Sequence, residues 1–526
     1  MRFLLVLIAA LAAAQSPFPV TYERLLNAGS EPGNWLTYGG DYRSHHFSPL
    51  TQITAENVHR LRVKWIYQFH KTKVEATPIV VDGLMFLTRP PSDVIALDAE
   101  TGRELWTYQH RIAQKGYVCC GEVNRGLAIL GSTLYLTTLD AKLVALDAES
   151  GRVLWKRDLA DPSVNYSGTA APLALNGKII VGIAGGDAGI RGFLDAYDAK
   201  TGARLWRFWT IPAPGEKGSE TWGGELWKHG GAATWITGSY DPELNLVYWG
   251  TGNPAPDYNG DVRPGDNLYS CSLLAINPDT GELKWYFQFT PHDTHDWDAT
   301  QVPVLIDAPR KLVVVPSRNG FHYVLDRETG KFLSARPFVK QTWAKEIDKN
   351  GRPVLNPGQE PTLEGNDSVW PGVDGANNWF SPSYSPLTKL LYLNAREERR
   401  RYFKTDAPEF QPGQGFFGGG GGGGLRFRPE ESWGKLIAMV PETGEIKWEH
   451  KIQTPPWAGT LATAGNVVFT ATPSGNFYAV DARTGKHLWN FHGGGSVYAS
   501  PISFLSRGKQ VVTIPMGDIL IAFSLD

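Results

Sequence analysis

Short runs of alternating apolar and polar residues, separated by glycine-containing turns, extend along this chain. Residues 134–138 (Leu-Tyr-Leu-Thr-Thr) and 178–182 (Lys-Ile-Ile-Val-Gly) are typical of strands, whose side chains alternate between two faces. A nine-residue phrase recurs among them: a strand that usually ends in aspartate, a Thr-Gly or Ser-Gly turn, and a strand that enters with tryptophan. The glycine supplies the positive φ that a tight hairpin needs. Copies occupy residues 98–106, 147–155, 198–206, 277–285, 326–334 (without the tryptophan), 440–448 and 481–489.

The spacing of the copies predicts the fold. They recur about every 40–50 residues, with room for four strands per repeat, which is the pattern of β-propeller blades. Residues 62–69 and 510–523 resemble two parts of an eighth unit that would join the chain ends and remove free edges. We therefore predict an all-β, eight-bladed β-propeller with four-stranded antiparallel blades, occupying residues 15–526 as a single domain.

Several insertions interrupt the repeats, at residues 212–229, 254–267 and 338–378. Seven consecutive glycines at 418–424 are expected to form a flexible surface loop, because glycine offers no side chain to pack.

Residues 1–14 predict a secretory signal peptide. Arg2 precedes an apolar run at residues 3–11, and three alanines precede Gln15, as at a cleavage site. The run is too short to cross a bilayer and no later segment is long enough, so we expect a periplasmic protein with no membrane span. A retained N-terminal anchor is the alternative. The net charge of −2 shows no bias toward nucleic acid.

Two of the three cysteines, Cys119 and Cys120, are adjacent. An exported protein can keep a disulfide there, yet a ring this small adds almost nothing through loop entropy. Such a pair makes more sense as an oxidised surface against which a ligand packs, and the repeats place it on an inner strand. Two unrelated core thiols are the simpler alternative. No Cys-x-x-Cys-His motif is present, so no c-type haem is attached to this chain.

An acidic segment at residues 290–300 carries Asp293, Asp296 and Asp298. In an extended segment Asp296 and Asp298 point to the same side. Two carboxylates placed in this way repel each other unless a cation lies between them or one is protonated. Their oxygen ligands favour Ca²⁺ or a trivalent lanthanide over zinc or copper. A solvated acidic turn is the alternative.

Two further segments place polar side chains among small residues. Asn253 stands in Gly-Thr-Gly-Asn-Pro-Ala-Pro, where its amide can ligate a cation or simply form an Asx turn. Asp187 follows Gly185 and Gly186, whose missing side chains let a flat ligand approach the backbone. Together with the acidic segment, these residues indicate one cation beneath one planar ligand.

These segments, in this order within tryptophan-marked repeats, resemble the quinoprotein alcohol dehydrogenases that use pyrroloquinoline quinone (PQQ), notably methanol and ethanol dehydrogenases. The resemblance covers essentially the whole mature chain and rests on Cys-Cys-Gly-x-Val-Asn-Arg-Gly, Gly-Thr-Gly-Asn-Pro-Ala-Pro and Pro-His-Asp…Asp-Trp-Asp. It implies that Cys119 and Cys120 form a disulfide on one face of the PQQ ring and that Trp235 covers the other. It also implies further cofactor contacts by Glu75, Arg125, Thr169, Gly185, Gly186, Arg318, Asn378 and Trp457.

The resemblance further implies a metal site and a catalytic base. The metal ligands would be Asp187, Asn253, Asp296 and Asp298. Asp296 is also the expected base, with Arg318 close to the reacting quinone carbonyl. Asp298 stands where lanthanide members of the family have a second aspartate and calcium members have Ala or Thr, so we expect a lanthanide. An alignment with Asp298 as the base, followed two residues later by Thr300, would restore Ca²⁺.

The expected reaction is oxidation of a primary alcohol to the aldehyde. Asp296 would remove the hydroxyl proton while hydride passes to the cofactor. Lacking a haem motif of its own, the chain would pass its electrons to an external cytochrome c or similar acceptor. A homodimer is an open alternative for the assembly.

Three departures from the family pattern affect the expected site. Asp187 is one methylene shorter than the usual glutamate, Ala233 lacks the hydroxyl of a common threonine, and Asp257 replaces an aromatic found in some methanol enzymes. The last change argues against a pocket for methanol alone. A soluble PQQ-dependent polyol or sugar dehydrogenase is one alternative. Another is a non-enzymatic propeller scaffold, in which the residues of the site would have decayed.

Overall fold

The computed structural model describes residues 18–71, 73–113, 116, 118–307, 310–406, 408–422 and 431–525. The predicted signal peptide lies outside these residues. Antiparallel sheets of four strands dominate, and in all but the sheet that joins the chain ends the short inner strand is followed by its neighbours in chain order. The sequence prediction of an all-β propeller fold with four-stranded antiparallel sheets is confirmed.

The described residues form seven such sheets and one that carries an additional parallel strand. Sheet 1 comprises Ile79–Val81, Leu84–Arg89, Asp93–Asp98 and Glu104–Tyr108. Sheet 2 comprises Ala128–Leu130, Thr133–Thr137, Lys142–Asp147 and Val153–Asp158. Sheet 3 comprises Leu173–Leu175, Lys178–Gly182, Phe193–Asp198 and Arg204–Trp209. Sheet 4 comprises Ser239–Asp241, Leu246–Gly250, Ser272–Ile276 and Leu283–Gln288.

The second half of the chain repeats the plan. Sheet 5 comprises Val304–Ile306, Leu312–Pro316, Phe321–Asp326 and Phe332–Pro337. Sheet 6 comprises Ser383–Ser385, Leu390–Glu398, Ser432–Met439 and Ile446–Ile452. Sheet 7 comprises Leu461–Thr463, Val467–Ala471, Asn476–Asp481 and His487–His492, with Phe47–Ser48 added in parallel at its inner edge. Sheet 8 comprises Ile502–Ser506, Lys509–Met516, Ile519–Ser524 and Arg62–Gln68.

The repeated phrase forms the hairpin between the third and fourth strands, as predicted. In sheet 1 the Asp98 carboxylate accepts the backbone N–H groups of Glu100 and Thr101, each at 2.9 Å. Gly102 then adopts a φ of +70°, which residues with a Cβ rarely adopt. These local bonds define the turn, and the fourth strand leaves it with its tryptophan facing the next sheet.

The tryptophan of one sheet packs on the turn glycine of the next. A Cβ at Gly151 of sheet 2 would lie 2.5 Å from the ring of Trp106 in sheet 1. The same contact recurs between five further pairs: Trp65 and Gly102, Trp155 and Gly202, Trp206 and Gly281, Trp285 and Gly330, and Trp448 and Gly485. Where the tryptophan is lost, Gly444 of sheet 6 packs on Arg336 and His322 of sheet 5 instead.

Sheet 8 joins the two ends of the chain. Its outer strand, Arg62–Gln68, pairs antiparallel with Ile519–Ser524. The ring of Trp489 from sheet 7 lies edge-on to that of Phe523, with centroids 5.3 Å apart. The predicted pairing of residues near both termini is therefore confirmed.

Helices are few and short. The α-helix Tyr22–Leu26 begins at a Thr21 cap. The 3₁₀ turns are Ala28–Ser30, Val58–Arg60, Pro162–Val164, Gly186–Ala188, Ser219–Thr221, Leu226–His229 and Gly260–Val262. Within the described residues, no helix has the length and hydrophobicity needed to span a membrane.

The glycine run differs from its prediction where it is described. Gly419–Gly421 forms a strand that pairs with Arg400–Lys404, which in turn pairs with Asn366–Val369. Glycine allows this strand to lie close against its neighbours: a Cβ at Gly421 would lie 3.0 Å from the Tyr258 ring. Residues 423–424 lie outside the described residues. A further hairpin, Ala344–Ile347 with Pro353–Leu355, forms part of the insertion at 338–378.

We predict that Gly151→Ala destabilises the protein more than Gly177→Ala. Both glycines are left-handed, with φ of +70° and +74°, but a Cβ at Gly177 would meet nothing within 4 Å. The control should lose about 1–2 kcal/mol for the backbone conformation. Gly151→Ala should lose about 1–3 kcal/mol more because its methyl group clashes with Trp106. Urea unfolding of both variants measures the difference, and equal losses would contradict the packing role of the tryptophan.

Candidate active site

The predicted site residues lie on connections at one end of the sheets. Each inner strand begins, and each second strand ends, at this end, because antiparallel neighbours reverse direction. Residues just before an inner strand are Glu75, Arg125, Thr169, Trp235, Asp296, Asp298, Asn378 and Trp457. Residues just after a second strand are Asp187, Asn253 and Arg318. The fold thus gathers side chains from distant parts of the sequence.

These side chains surround one cavity of about 340 Å³. This volume is in the range of small-molecule sites, about 300–1,000 Å³. All the predicted site residues line it except Glu75, which lies behind Arg125. The cavity is also lined by residues that were not predicted, among them Lys73, Asp374, Trp379 and Tyr498.

Cys119 and Cys120 form a disulfide at the rim of this cavity. The pair lies in a turn that precedes the inner strand of sheet 2, so the predicted placement on an inner strand is wrong. A carboxylate oxygen of Asp187 lies within 4.8 Å of both sulfur atoms. Because disulfide sulfurs are not thiolates, this group is not a metal site. The short distance shows that the disulfide lies beside the Asp187 carboxylate in the cavity.

A buried arginine lies among the aromatic walls of the cavity. Arg125 Nη2 is 2.8 Å from Glu75 Oε2, and its guanidinium stacks over the rings of Trp235 and Trp379 at 4.8 and 5.3 Å. Trp379 itself stacks on Trp457, with centroids 4.6 Å apart. Arg125 Nε is buried and has no hydrogen-bond acceptor among the described residues. A donor of this kind favours an anionic or carbonyl-bearing ligand in the cavity.

The Arg318 guanidinium lies between two acids. Its Nη1 donates to Asp298, and its Nη2 lies 3.4 Å from Asp296 Oδ2. Val373 O accepts from Nε at 3.0 Å and from Nη2 at 2.6 Å, which fixes the plane of the group. Asp296 has a φ of +59°, so the segment is not extended as the sequence argument assumed. Both carboxylates nevertheless line the same cavity.

A fourth acid stands behind the amide of Asn253. Asn253 Nδ2 donates to Asp257 Oδ1 at 2.9 Å, and Asn253 N donates to Asp298 Oδ1 at 3.0 Å. Asp257 is only 1% exposed. In the sequence, Asp257 stands out only as the replacement of an aromatic residue, and no motif identifies it as a partner of Asn253.

Burial and mutual repulsion shift the titration of these acids. Burial, with the Asp298 charge, raises the pKa of Asp187 to about 6. Burial raises the pKa of Asp296 well above its ordinary value. The Arg318 charge lowers this pKa, the Asp187 and Asp298 charges raise it, and the net shift is upward. Burial also raises the pKa of Asp257, with further increases from Asp187 and Asp296. Burial is thus the main cause of all three shifts, and the neighbouring carboxylates add to it.

Comparison with known proteins identifies the family. A family model described as glucose/ethanol/alcohol dehydrogenase, beta-propeller domain (PQQ) matches residues 35–337 and 428–512. Quinoprotein alcohol dehydrogenase PedH of Pseudomonas putida is 39% identical over 546 residues, covering 98% of this chain and 91% of that protein. The chain belongs to the PQQ-dependent quinoprotein alcohol dehydrogenases. The resemblance inferred from the sequence, and the enzyme class that it implied, are confirmed.

Other quinoproteins agree in sequence and in fold. The 1-butanol dehydrogenase (cytochrome c) of Thauera butanivorans is 38% identical over 526 residues, covering 92% of this chain and 74% of that protein. A europium-containing methanol dehydrogenase superposes with a TM-score of 0.89 at 32% identity, covering 95% of this chain and all of that one (100%). The quinohemoprotein alcohol dehydrogenase of Comamonas testosteroni superposes with a TM-score of 0.90 at 34% identity, covering 98% of this chain and 83% of that one.

The residues of this quinoprotein fit both a planar anionic cofactor and a hard cation. Arg125 Nε, which has no acceptor among the described residues, and the aromatic walls suit the planar anionic cofactor. The predicted metal ligands contribute three carboxylates and one amide to the cavity lining, and hard oxygen donors of this kind favour a hard cation. The donors are Asp187, Asn253, Asp296 and Asp298.

Two of the residues missed by sequence reasoning carry detectable signals. Trp379 directly follows the predicted contact Asn378, and its ring continues the stack begun by Trp457. Tyr498 precedes the inner strand of sheet 8, the same position that Trp457 occupies before sheet 7. Comparing equivalent positions across the repeats would have identified both.

We predict that Asp187→Asn stabilises the metal-free protein. Since the folded state holds this carboxyl with a raised pKa of about 6, its contribution to stability falls as pH rises from the ordinary value of about 3.8 through 6. The amide removes that cost, so the gain should be about 1–3 kcal/mol at pH 7.5 and smaller at pH 5. Urea unfolding after chelation measures both. Asp198→Asn serves as the control, because hydrogen bonds lower the pKa of Asp198. Equal gains at the two pH values would contradict the prediction.

Proposed function

We propose that this quinoprotein oxidises a primary alcohol to the aldehyde in the periplasm, using PQQ and one metal ion, and passes the electrons to an external cytochrome c. The main support for this proposal is one cavity that has a disulfide at its rim and Trp235 in its wall. Within it, Arg318 contacts both Asp296 and Asp298. The name of the Thauera relative, a cytochrome c-linked butanol dehydrogenase, supports the substrate class and the acceptor.

The cofactor would lie between the disulfide and Trp235. When bound, PQQ would supply a hydride-accepting carbonyl and the metal ion would supply Lewis acidity. Arg125 would donate to the cofactor through its free Nε, while Glu75 holds the same guanidinium from behind. Thr169 Oγ1 donates to Trp235 O at 3.3 Å and so ties that wall in place. Gly185, Gly186, Asn378 and Trp457 complete the proposed cofactor contacts.

Asp296 would remove the proton from the alcohol hydroxyl. Its raised pKa means that the carboxyl tends to hold a proton in the metal-free protein. Neighbouring positive charge lowers such a pKa and favours the carboxylate that a base requires. Arg318 supplies one such charge and orients the carboxylate through the contact at 3.4 Å.

A lanthanide is the proposed metal, with Ca²⁺ as the alternative. Asp298 adds a carboxylate to Asp187, Asn253 and Asp296, and extra negative charge favours a trivalent ion. The europium-containing methanol dehydrogenase that superposes on this chain supports this assignment. In the described structure Asp298 is bonded to Arg318 and to Asn253 N, so metal binding would compete with the arginine contact.

We also propose that the eight sheets are the blades of one closed ring, that residues 15–526 form this single domain, and that residues 1–14 are removed on export. The tryptophan contacts between successive sheets and the pairing within sheet 8 support the ring. A homodimer remains a proposal for the assembly.

Reconstitution tests the proposed function and its metal. Purified protein is loaded with PQQ plus La³⁺ or Ca²⁺, and dye reduction is followed over a series of C1–C6 primary alcohols. We expect quinone absorbance and turnover that is higher with La³⁺. If neither quinone absorbance nor turnover is seen with La³⁺ or with Ca²⁺, the enzyme assignment is contradicted. Activity with Ca²⁺ alone would contradict the lanthanide assignment.

Asp298→Ala should abolish La³⁺-supported turnover. Asp298→Asn is the matched variant: its amide oxygen can still accept the Asn253 N–H, so it removes charge while keeping that structural bond. We expect both variants to lose the La³⁺ response. If either retains wild-type La³⁺ activity, Asp298 is not a ligand.

Asp296→Asn should lower kcat by about 10²–10⁴-fold while PQQ still binds, because the amide cannot accept the proton. Asp293→Asn is a control in the same connection. Asp293 is buried, accepts the backbone N–H groups of His295 and Trp297, and does not line the cavity. It should lose thermal stability but keep most of its turnover. Comparable kcat losses in the two variants would contradict a specific role for Asp296.

A further inference from the structure

Asp257 lies in a buried turn directly behind the cavity. Its Oδ1 accepts the hydrogen bond from Asn253 Nδ2 at 2.9 Å, and the residue is 1% exposed. Asp257 does not line the cavity, whereas Asn253 does. The Asp257 carboxyl therefore contacts the proposed ligand Asn253 from outside the cavity.

The contact determines which end of the Asn253 amide faces the cavity. An amide has a donor end and an acceptor end of nearly equal size, and its hydrogen bonds decide their orientation. Asp257 accepts from Nδ2, and Pro254 O lies 3.4 Å from the same atom. The oxygen is left as the end available to a cation. With the amide reversed, the hydrogen bond that Nδ2 donates to Asp257 Oδ1 would be lost.

The backbone on both sides of this contact is held firmly. Asn253 N donates to Asp298 Oδ1 at 3.0 Å, and Asn253 O accepts from Ala232 N at 2.8 Å. Fully buried Arg263 donates to Pro256 O at 3.0 Å and to Asp257 O at 3.2 Å. These bonds prevent the turn from withdrawing the carboxylate.

The residues that lead into the strand Gly419–Gly421 cover the same turn. Tyr258 N donates to Phe417 O at 2.9 Å, and a Cβ at Gly418 would lie 2.9 Å from Pro256 Cβ. The close approach that glycine permits therefore seals the Asp257 turn from solvent. A hydrogen bond from a neutral amide to a carboxylate is stronger where water cannot compete for it.

We propose that Asp257 is a positioning residue for the metal site, fixing the Asn253 amide with its oxygen toward the cation. The inference rests on the proposed function, in which Asn253 is a metal ligand. It gives the aspartate at this position a purpose beyond the loss of an aromatic wall.

The test measures Eu³⁺ binding to the PQQ-free protein. Asp257→Leu keeps the branched shape of the side chain but cannot accept the bond, and its Eu³⁺ affinity should fall about 10–100-fold. Luminescence lifetimes in H₂O and D₂O count the water molecules on Eu³⁺. The variant should hold about one more water than the wild type, because water replaces the amide oxygen. Asn253→Ala should show the same extra water, and Asp257→Ala replaces the leucine variant if that chain does not fold.

Two controls separate positioning from charge and from folding. Asp257→Asn can still accept through its own oxygen, so it should restore the wild-type water count. Asp261→Asn removes an exposed charge from the same insertion and should change neither affinity nor water count. Wild-type affinity and water count in Asp257→Leu would overturn the positioning role alone. A wild-type protein that binds no Eu³⁺ would overturn the metal site of the proposed function as well.

Discussion

The carboxylates of Asp187, Asp296 and Asp298 line one cavity, and the Arg318 guanidinium lies between the last two. Like charges about 4 Å apart repel by about 4 kcal/mol at an effective dielectric constant of 20. Burial is the main cause of the raised pKa values of Asp187 and Asp296, and this repulsion adds to it. The surrounding fold must hold these groups together against it, and a bound cation would relieve it. The stability of the protein and its chemistry are therefore linked through the same few side chains.

The propeller supplies the rigidity that this arrangement requires. Site residues stand on connections between buried strands, while six of the eight outer strands contact the turn glycine of the next sheet through a tryptophan. Because every sheet contributes at the same end, a displacement of one sheet would move only the site residues on its own connections. The buried hydrogen bonds of Arg263 and Arg318 to backbone carbonyls then fix individual connections relative to each other.

The sequence predicted most of this arrangement, for reasons that differ between its parts. The repeats follow from local turn chemistry, such as the bonds of Asp98 and the φ of Gly102, so they can be read directly. The cavity residues were predicted through family resemblance. Asp257 was misread because its partner depends on how the turn after Asn253 folds back. The glycine run was misread because its pairing with Arg400–Lys404 depends on a neighbour that no local pattern specifies.

Sheet 8 has a consequence for the order in which this protein matures. Its outer strand comes from residues 62–68 and its inner three from residues 502–524, so nearly the whole chain must be synthesised before it can pair. Contacts between such distant residues form slowly. Lys73 follows the outer strand of sheet 8, Tyr498 precedes its inner strand, and both residues line the cavity. The binding site is therefore complete only after the last strand has been added, and a cofactor can be held firmly only by a chain that has already finished folding.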